Sequence, residues 1–417
     1  MSRAAGSQHE STEQVPNDGC EALAREPWAR STAIWYLSGV VFALGFSLGL
    51  TLAPPKSRPR NSALDVFAWQ DGRWYRQIAD NGYDYKPDER SNAAFFPVYP
   101  LLARGVASVL NLRVEIALLV VSNSSLLGAL LILRSYARLR YPTLSESGCD
   151  HVLLAASFFP TACFFRMAYS ESTFLLASVT AFYAIERRWP LWLTAPIVGL
   201  GTAVRPVGIA LLAPLVIGIW RRDFSVKKKL KLIVFSSPVA CWGLAAFMAF
   251  QYAAFGEPLA FAKAQQHWGV RSAGAFAEKL VSLATLEPVL AVYSESSPTF
   301  WGLADNGAAE WFSLQFANPL YFVTAIALIA FGAHRRWLAA DETLLAVLLL
   351  LIPYATRGYE MGMGSMGRFV AVVFPIYLVA GQLLGRAPAA ITAALISLSA
   401  FMMGAYAAFY AAGRLVF

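Results

Sequence analysis

Residues 34–53 read IWYLSGVVFALGFSLGLTLA, and these 20 residues include no acidic or basic side chain. A helix needs about 20 apolar residues to cross the hydrocarbon core of a bilayer. The stretch lies too far into the chain, and is too long, for the apolar part of a cleaved signal peptide. It is therefore predicted to be a membrane-spanning signal anchor.

Similar apolar runs recur along nearly the whole chain. Of its 417 residues, 57% are hydrophobic and 14% are charged, whereas soluble domains carry about 25% charged residues. The sequence thus predicts an all-α polytopic membrane protein with about eleven spans, some of them short, tilted or buried among their neighbours. The candidate spans are 34–53, 116–133, 152–166, 173–185, 191–203, 208–220, 232–255, 316–332, 344–354, 369–384 and 389–412.

The basic residues predict how these spans are oriented. The formal net charge is +8, and basic side chains cluster between spans, in loops that the positive-inside rule places in the cytoplasm. The clusters alternate consistently if the N-terminus is inside. Residues 54–115 and 256–315 then form two large extracytoplasmic loops, the first of them with interfacial helices. The basic clusters are Arg134, Arg138 and Arg140; Arg187 and Arg188; Arg221, Arg222 and Lys227–Lys229; and His334, Arg335 and Arg336.

The remaining organisation is simple. Residues 1–33 are polar and rich in small side chains, which predicts a disordered cytoplasmic tail. Residues 34–417 are predicted to form a single transmembrane domain. The four cysteines lie on cytoplasmic segments or inside spans, so we expect free thiols rather than a disulfide framework.

The most informative polar residue is Asp71, in the first outer loop. A helix over 63–81 would place an apolar stripe on one face, with Asp71 in its middle. A carboxylate held there should ionise less easily and accept a proton more readily. The alternative is that Asp71 caps a turn before Gly72 and breaks this helix. The stripe consists of Leu64, Phe67, Ala68, Trp74, Tyr75 and Ile78.

Three further outer segments carry candidate binding residues. Glu171 lies in the short turn 169–172 at the rim of the bundle, where an ionisable side chain suggests function, although it could simply cap the next helix. Arg205 and Arg368 are predicted on the same side and could clasp a phosphate, or could anchor helix ends at the interface. Segment 256–268 adds a polar and aromatic cluster that includes Gln265 and Trp268.

Other motif matches do not fit their context. The G-x-G-x-x-G pattern at 362–367 follows no predicted strand and lies on the outer side, so it is interpreted as a flexible turn. Four scattered histidines and the lack of a C-x-x-C pair provide no metal-ligand set. The sequence predicts neither a metal site nor a cofactor.

Taken together, the polar blocks resemble a known family. The stretch from Asp71 to Leu102 is similar to the W-D-G-x-W-Y-x-x-I-A-x-x-G-Y…F-F-P-x-Y-P-L block of bacterial mannosyltransferase-like proteins, which are related to the enzyme adding the second mannose of the glycosylphosphatidylinositol anchor. One departure is Gln70, which stands where the family usually has tryptophan. The later blocks, in the family's order, are Tyr169–Ser172, Arg205–Gly208, Gly256–Trp268 and Ser365–Pro375.

The resemblance implies a GT-C helical bundle in the cell (cytoplasmic) membrane, with its active site on the extracytoplasmic side. It implies an inverting transfer of a sugar, mannose in this family, from a polyprenyl-phosphate donor to a lipid-linked or other extracytoplasmic glycan acceptor. An acidic residue of the first outer loop acts as general base, and Asp71 matches that position. The candidate substrate-binding residues are Trp74, Tyr75, Glu171, Arg205, Gln265, Trp268 and Arg368.

Two other classes of protein compete with this interpretation. A transporter or lipid flippase would place its polar residues within spans, near the midplane, and often in repeated halves. Here the polar residues gather in outer loops and no internal repeat is found, which favours the enzyme. An inactive scaffold of the same fold is the third alternative.

Overall fold

The computed structural model of this chain describes residues 18–52, 63–271, 274–303 and 313–414. Across these ranges the regular structure is helical, with no strand. The helices are α1 Asp18–Leu52, α2 Ala63–Phe67, α3 Asp71–Asn81, α4 Val98–Leu110, α5 Val114–Arg140, α6 Glu146–Phe158, α7 Glu171–Glu186, α8 Leu191–Val204, α9 Leu212–Trp220, α10 Val226–Ala240, α11 Trp242–Phe255, α12 Ala260–Gln265, α13 Phe276–Ala284, α14 Glu287–Ala291, α15 Leu314–His334, α16 Ala340–Pro353, α17 Tyr359–Met361, α18 Met366–Ala371, α19 Pro375–Leu384 and α20 Ala389–Ala411.

The helices agree with the predicted multi-span membrane protein. Among the described residues, five helices are long and apolar enough to cross a membrane, and the α10–α11 pair, bent by 45°, would form a sixth span. Each remaining predicted span coincides with a shorter helix, or with a helix and an adjacent 3₁₀ segment. The five long helices are Trp28–Leu52, Val114–Arg140, Leu314–His334, Ala340–Met361 and Ala389–Ala411.

Helices α1 and α20 pack unusually closely, because small residues face each other along their contact. A methyl group added at Gly45 would lie only 2.2 Å from the carbonyl oxygen of Gly404, and one at Gly49 only 2.0 Å from that of Ala408. Small residues allow such close backbone approach in membrane bundles. The first and last described helices are therefore in direct backbone contact.

Several boundaries differ from those that the sequence predicts. Helix α1 begins at Asp18, inside the segment 1–33 that the sequence predicts as a tail. Helix α4, Val98–Leu110, is an apolar helix within the first outer loop, where the sequence predicts interfacial helices. Residues 1–17, 53–62, 272–273, 304–312 and 415–417 lie outside the described residues.

The single helix predicted over 63–81 is wrong. Helix α2 ends at Phe67 and α3 begins at Asp71, with a tight turn between them. In that turn the amide of Gly72 donates to the carbonyl of Trp69 at 3.0 Å, and Gln70 has φ 54° and ψ −121°. These angles are those of the first central position of a type II′ turn. The apolar stripe is therefore interrupted, as the alternative interpretation of Asp71 required.

Candidate active site

Asp71 is the first residue of α3 and faces a guanidinium group. Its Oδ2 lies 2.5 Å from Nη1 of Arg368, and its side chain is 22% exposed. The carboxylate thus lies at a helix N-terminus, where negative charge is favoured, and is paired with a cation, which the continuous helix did not predict. The difference follows from the turn at Gln70, which rotates Asp71 away from the predicted stripe.

The backbone next to Arg368 is firmly held. The amide of Gly367 donates to Oδ1 of Asn318 at 2.8 Å, and its carbonyl accepts from the hydroxyl of Thr161 at 2.8 Å. A side chain at position 367 would collide with both partners, because an added methyl would lie 2.9 Å from Asn318 and 3.0 Å from Thr161. Glycine at this position therefore lets α18 seat Arg368 against Asp71. The G-x-G-x-x-G segment, expected to be a flexible turn, is buried here.

A second carboxylate extends the contact. Oε1 of Glu171, the first residue of α7, lies 3.2 Å from Nε of Arg368 and 2.8 Å from Nη1 of Arg205. Arg205 ends α8 in an extended conformation, as expected for a residue before proline. Asp71, Arg368, Glu171 and Arg205 thus form one continuous chain of ion pairs, here called the ion-pair cluster. The structure brings together four residues from four separate predicted segments.

Glu171 retains unused hydrogen-bonding capacity. Its side chain is only 2% exposed, and its Oε2 has no hydrogen-bond partner among the described residues. Buried polar atoms are nearly always satisfied, so an orphan acceptor of this kind needs an explanation. A hydroxyl group of a bound molecule could donate to it.

Tyr75 packs beneath the cluster, one turn along α3. Its hydroxyl shares a 2.8 Å hydrogen bond with Ser170, and the side chain is buried. Burial, followed by the negative charge of Glu171, raises the pKa of the Tyr75 hydroxyl. Tyr75 therefore remains a neutral hydrogen-bonding group at physiological pH and stabilises the turn that carries Glu171.

An aromatic cluster of Trp74, Phe95 and Trp268 connects the two predicted outer loops. The ring centroids lie 6.1 Å apart for Trp74 and Phe95, 6.0 Å for Phe95 and Trp268, and 5.9 Å for the two tryptophans. The amide of Gln265 donates to the carbonyl of Ala94 at 3.2 Å. The geometry places Gln265 in the contact between the loops.

Arg357 is a cation near the cluster that the sequence interpretation did not single out. It lies on a π-helical turn, Tyr354–Gly358, which follows α16, and it is partly buried. The charges of Arg368, Asp71 and Arg205 all act on its guanidinium group. The only signal in the sequence was that Arg357, like Arg368, lies between the predicted spans 344–354 and 369–384.

A cleft of about 800 Å³ opens beside the same turn, in the predicted second outer loop. Arg271 pairs with both carboxylate oxygens of Glu287 at 2.8 Å on one wall, and Tyr359 lines another. Serine and threonine hydroxyls contribute much of the remaining lining. Among the residues that the structure describes, no group of three or more His, Cys, Asp or Glu side chains could hold a metal ion.

Solved structures resemble this arrangement of helices. The chain matches ArnT from Cupriavidus metallidurans bound to undecaprenyl phosphate over 95% of its own length and 77% of that protein, with a TM-score of 0.50 and 14% identity. Its fold is similar to that of ArnT, a GT-C membrane enzyme. At this level of identity, the match concerns the fold alone.

A second neighbour is larger. The oligosaccharyltransferase of Archaeoglobus fulgidus, in complex with Zn and sulfate, is matched over 88% of this chain and 53% of that protein, with a TM-score of 0.45 and 13% identity. The chain thus spans about half the length of that enzyme. No protein-family model and no curated protein matches the chain.

Proposed function

We propose that this protein is a glycosyltransferase that moves a sugar from a polyprenyl-phosphate donor to a hydroxyl group of an acceptor. The observation that carries the proposal is the ion-pair cluster, which joins a carboxylate of the first outer loop to two arginines at the rim of an ArnT-like bundle. The ArnT structure is bound to undecaprenyl phosphate, a lipid phosphate of the class that such a donor releases.

Asp71 acts as the general base in this proposal. The acceptor oxygen attacks the anomeric carbon and forms the new glycosidic bond, while its proton passes to Asp71. The bond from the anomeric carbon to the phosphate oxygen breaks, and its electron pair stays on the lipid phosphate. Attack opposite the leaving group inverts the anomeric configuration. A positioned base contributes about 10²–10⁴-fold to the rate of such a step.

Arg368 and Glu171 position this base. The ion pair with Arg368 fixes the orientation of the Asp71 carboxylate. Glu171 and Arg205 brace the guanidinium of Arg368 from its other side. Arg205 and Arg368 also add positive potential for the developing phosphate charge. The orphan Oε2 of Glu171 is suited to a sugar hydroxyl.

The finer assignment follows the family resemblance. We propose mannose as the sugar, a lipid-linked or other extracytoplasmic glycan as the acceptor, and the extracytoplasmic face of the cell membrane as the site of reaction. Trp74, Tyr75, Gln265 and Trp268 are proposed to shape the substrate site from the interface of the two outer loops. The aromatic side chains of that interface suit the apolar faces of a sugar ring.

The test is a transfer assay with purified protein in liposomes, supplied with polyprenyl-phosphate-mannose and candidate lipid acceptors. We expect time-dependent formation of mannosylated acceptor with inverted configuration, together with release of lipid phosphate. Movement of intact donor across the bilayer without sugar transfer would instead identify a flippase. A folded protein that neither transfers nor moves the donor would indicate an inactive scaffold.

A further inference from the structure

The two arginines of the ion-pair cluster are already engaged by carboxylates. Arg368 contacts Asp71 and Glu171, and Arg205 contacts Glu171. A phosphate that took either guanidinium wholly for itself would compete with Glu171, a buried carboxylate that is costly to leave unpaired. The direct contact to an anionic ligand is therefore better made by another cation.

Arg357 fits that requirement. Among the described residues it forms no ion pair, and its polar contact, from Nη1 to the sulfur of Met361 at 3.7 Å, is weak. It is partly buried, and the nearby charges that act on it include those of Arg368, Asp71 and Arg205. A partly buried guanidinium without a carboxylate partner is unfavourable, so an anionic ligand would supply the missing counter-charge of Arg357.

The local backbone also marks this position. Residues Tyr354–Gly358 form a π-helical turn in a chain whose other helices are α-helical or 3₁₀ within the described ranges. Turns of this type are rare and occur frequently at functional sites, because they re-aim side chains from a helix. The turn places Arg357 at the end of α16, on the segment that leads to α18 and Arg368.

The charges of the site match those of a lipid phosphodiester. The ion-pair cluster holds two arginines and two carboxylates, and Glu360, which also acts on Arg357, is paired with Lys279. Arg357 therefore leaves the assembled site with one positive charge. A polyprenyl-phosphate-linked sugar carries one negative charge. The lipid phosphate left after transfer is a monoester, which carries more negative charge than the diester.

We propose that Arg357 binds the phosphate of the polyprenyl donor, an inference that rests on the proposed function. Its planar fork contacts the phosphate oxygens, while Arg368 and Arg205 remain with their carboxylates. Because the charge on phosphate grows as the sugar leaves, Arg357 stabilises the transition state more than the bound donor. A variant should therefore lose turnover as well as affinity for the product lipid.

The experiment measures binding of undecaprenyl phosphate to the full-length protein in detergent micelles, with undecaprenol as the uncharged comparison. Loss of one partner from a buried charge pair costs about 2 kcal/mol or more, which corresponds to about 30-fold in affinity. We expect Arg357→Gln to weaken binding of undecaprenyl phosphate by about that factor and to leave undecaprenol binding unchanged. Arg104→Gln, which removes an exposed charge on α4, is the matched control.

Each outcome distinguishes the inference from the proposed function. If the wild-type protein does not bind undecaprenyl phosphate, both are overturned. If wild type binds and Arg357→Gln binds equally well, the inference alone is overturned. Should the glutamine variant fail to fold, Arg357→Lys decides the matter. It keeps the charge but loses the fork, so we expect several-fold weaker binding of the phosphate only. Unchanged binding by that variant overturns the guanidinium contact.

Discussion

Asp71 and Arg368 are separated by 297 positions in the sequence, yet their side chains form the shortest contact of the ion-pair cluster. The contact has two consequences for Asp71. Its carboxylate is held in one orientation, and its surroundings are ionic. The second point changes the physical basis for its proposed role, because orientation by Arg368 replaces desolvation by apolar neighbours.

We expect Asp71→Asn to reduce sugar transfer by about 10²–10⁴-fold, because an amide cannot accept the acceptor's proton. The variant should remain folded, since Glu171 still lies 3.2 Å from Nε of Arg368 and keeps that buried cation paired. The measurement is turnover of purified protein beside its thermal unfolding midpoint. Asp80→Asn, at an exposed position of the same helix, should retain wild-type turnover. A folded Asp71→Asn protein with near-normal transfer would direct the search for a base to Glu171.

Arg368→Lys should lower turnover by about 10²-fold although it preserves the charge. A single ammonium group cannot contact Asp71 and Glu171 with the geometry of the Nη1 and Nε atoms, so the base is misplaced. The effect should appear mainly in kcat. Arg104→Lys serves as the exposed control. Equal kcat values for Arg368→Lys and wild type would reduce Arg368 to an interfacial anchor.

At the level of single residues, the sequence indicated which polar side chains to consider but not how they pair. Asp71, Glu171, Arg205 and Arg368 were selected because each is ionisable and predicted to lie outside the spans. Their mutual contacts depend on how α3, α7, α8 and α18 pack, which no local pattern specifies. Arg357 was missed because a π-helical turn has no sequence signature comparable to a helix cap.

At the scale of elements, the turn before α3 is strained. Gln70 adopts φ 54° and ψ −121°, a conformation favourable for glycine and costly for other residues by about 1–3 kcal/mol. The carbonyl of Trp69, one residue earlier, accepts a 2.7 Å hydrogen bond from Tyr410, which helps to hold the turn. Strain of this kind persists where many surrounding contacts fix the backbone conformation.

We therefore expect Gln70→Gly to stabilise the folded protein by roughly 1 kcal/mol or more, because glycine adopts this conformation without a steric penalty. The measurement is the thermal unfolding midpoint in detergent. Gln77→Gly, in the interior of α3, should have the opposite effect and destabilise by about 1 kcal/mol. A lower or unchanged midpoint for Gln70→Gly would mean that the glutamine side chain contributes more than its backbone costs.

The elements themselves were largely predictable, since each long apolar run became a helix. The break between α2 and α3 was not predictable, because the hydrophobic periodicity continues through it. Position 70 also carries glutamine, and not the glycine or proline that would indicate a turn. Periodicity reports which residues would share a face if the helix continued. It contains no information about a turn that tertiary contacts impose.

At the scale of the whole molecule, the proposed reaction depends on which side of the membrane carries Asp71. We expect a cysteine at Asp88, an exposed position in the first outer loop, to react with a membrane-impermeant thiol reagent in intact cells. A cysteine at Lys227, in a predicted cytoplasmic cluster, should react only after the membrane is opened. Both cysteine variants are made in a protein in which Cys20 and Cys241 are replaced by serine. The reverse labelling pattern would overturn the topology and, with it, the choice of donor.

The close contact of α1 with α20, and the hydroxyl of Tyr410 on the carbonyl of Trp69, also bear on how the protein is made. A ribosome releases Asp71 early and Arg368 much later, but the turn before Asp71 is not fastened until translation has passed residue 410. A nascent chain stalled before α20 would contain every residue of the ion-pair cluster. The turn that positions Asp71, the proposed base, would still lack its hydrogen bond from Tyr410. Catalytic competence should therefore arise late in biogenesis, when the last described helix docks beside the first.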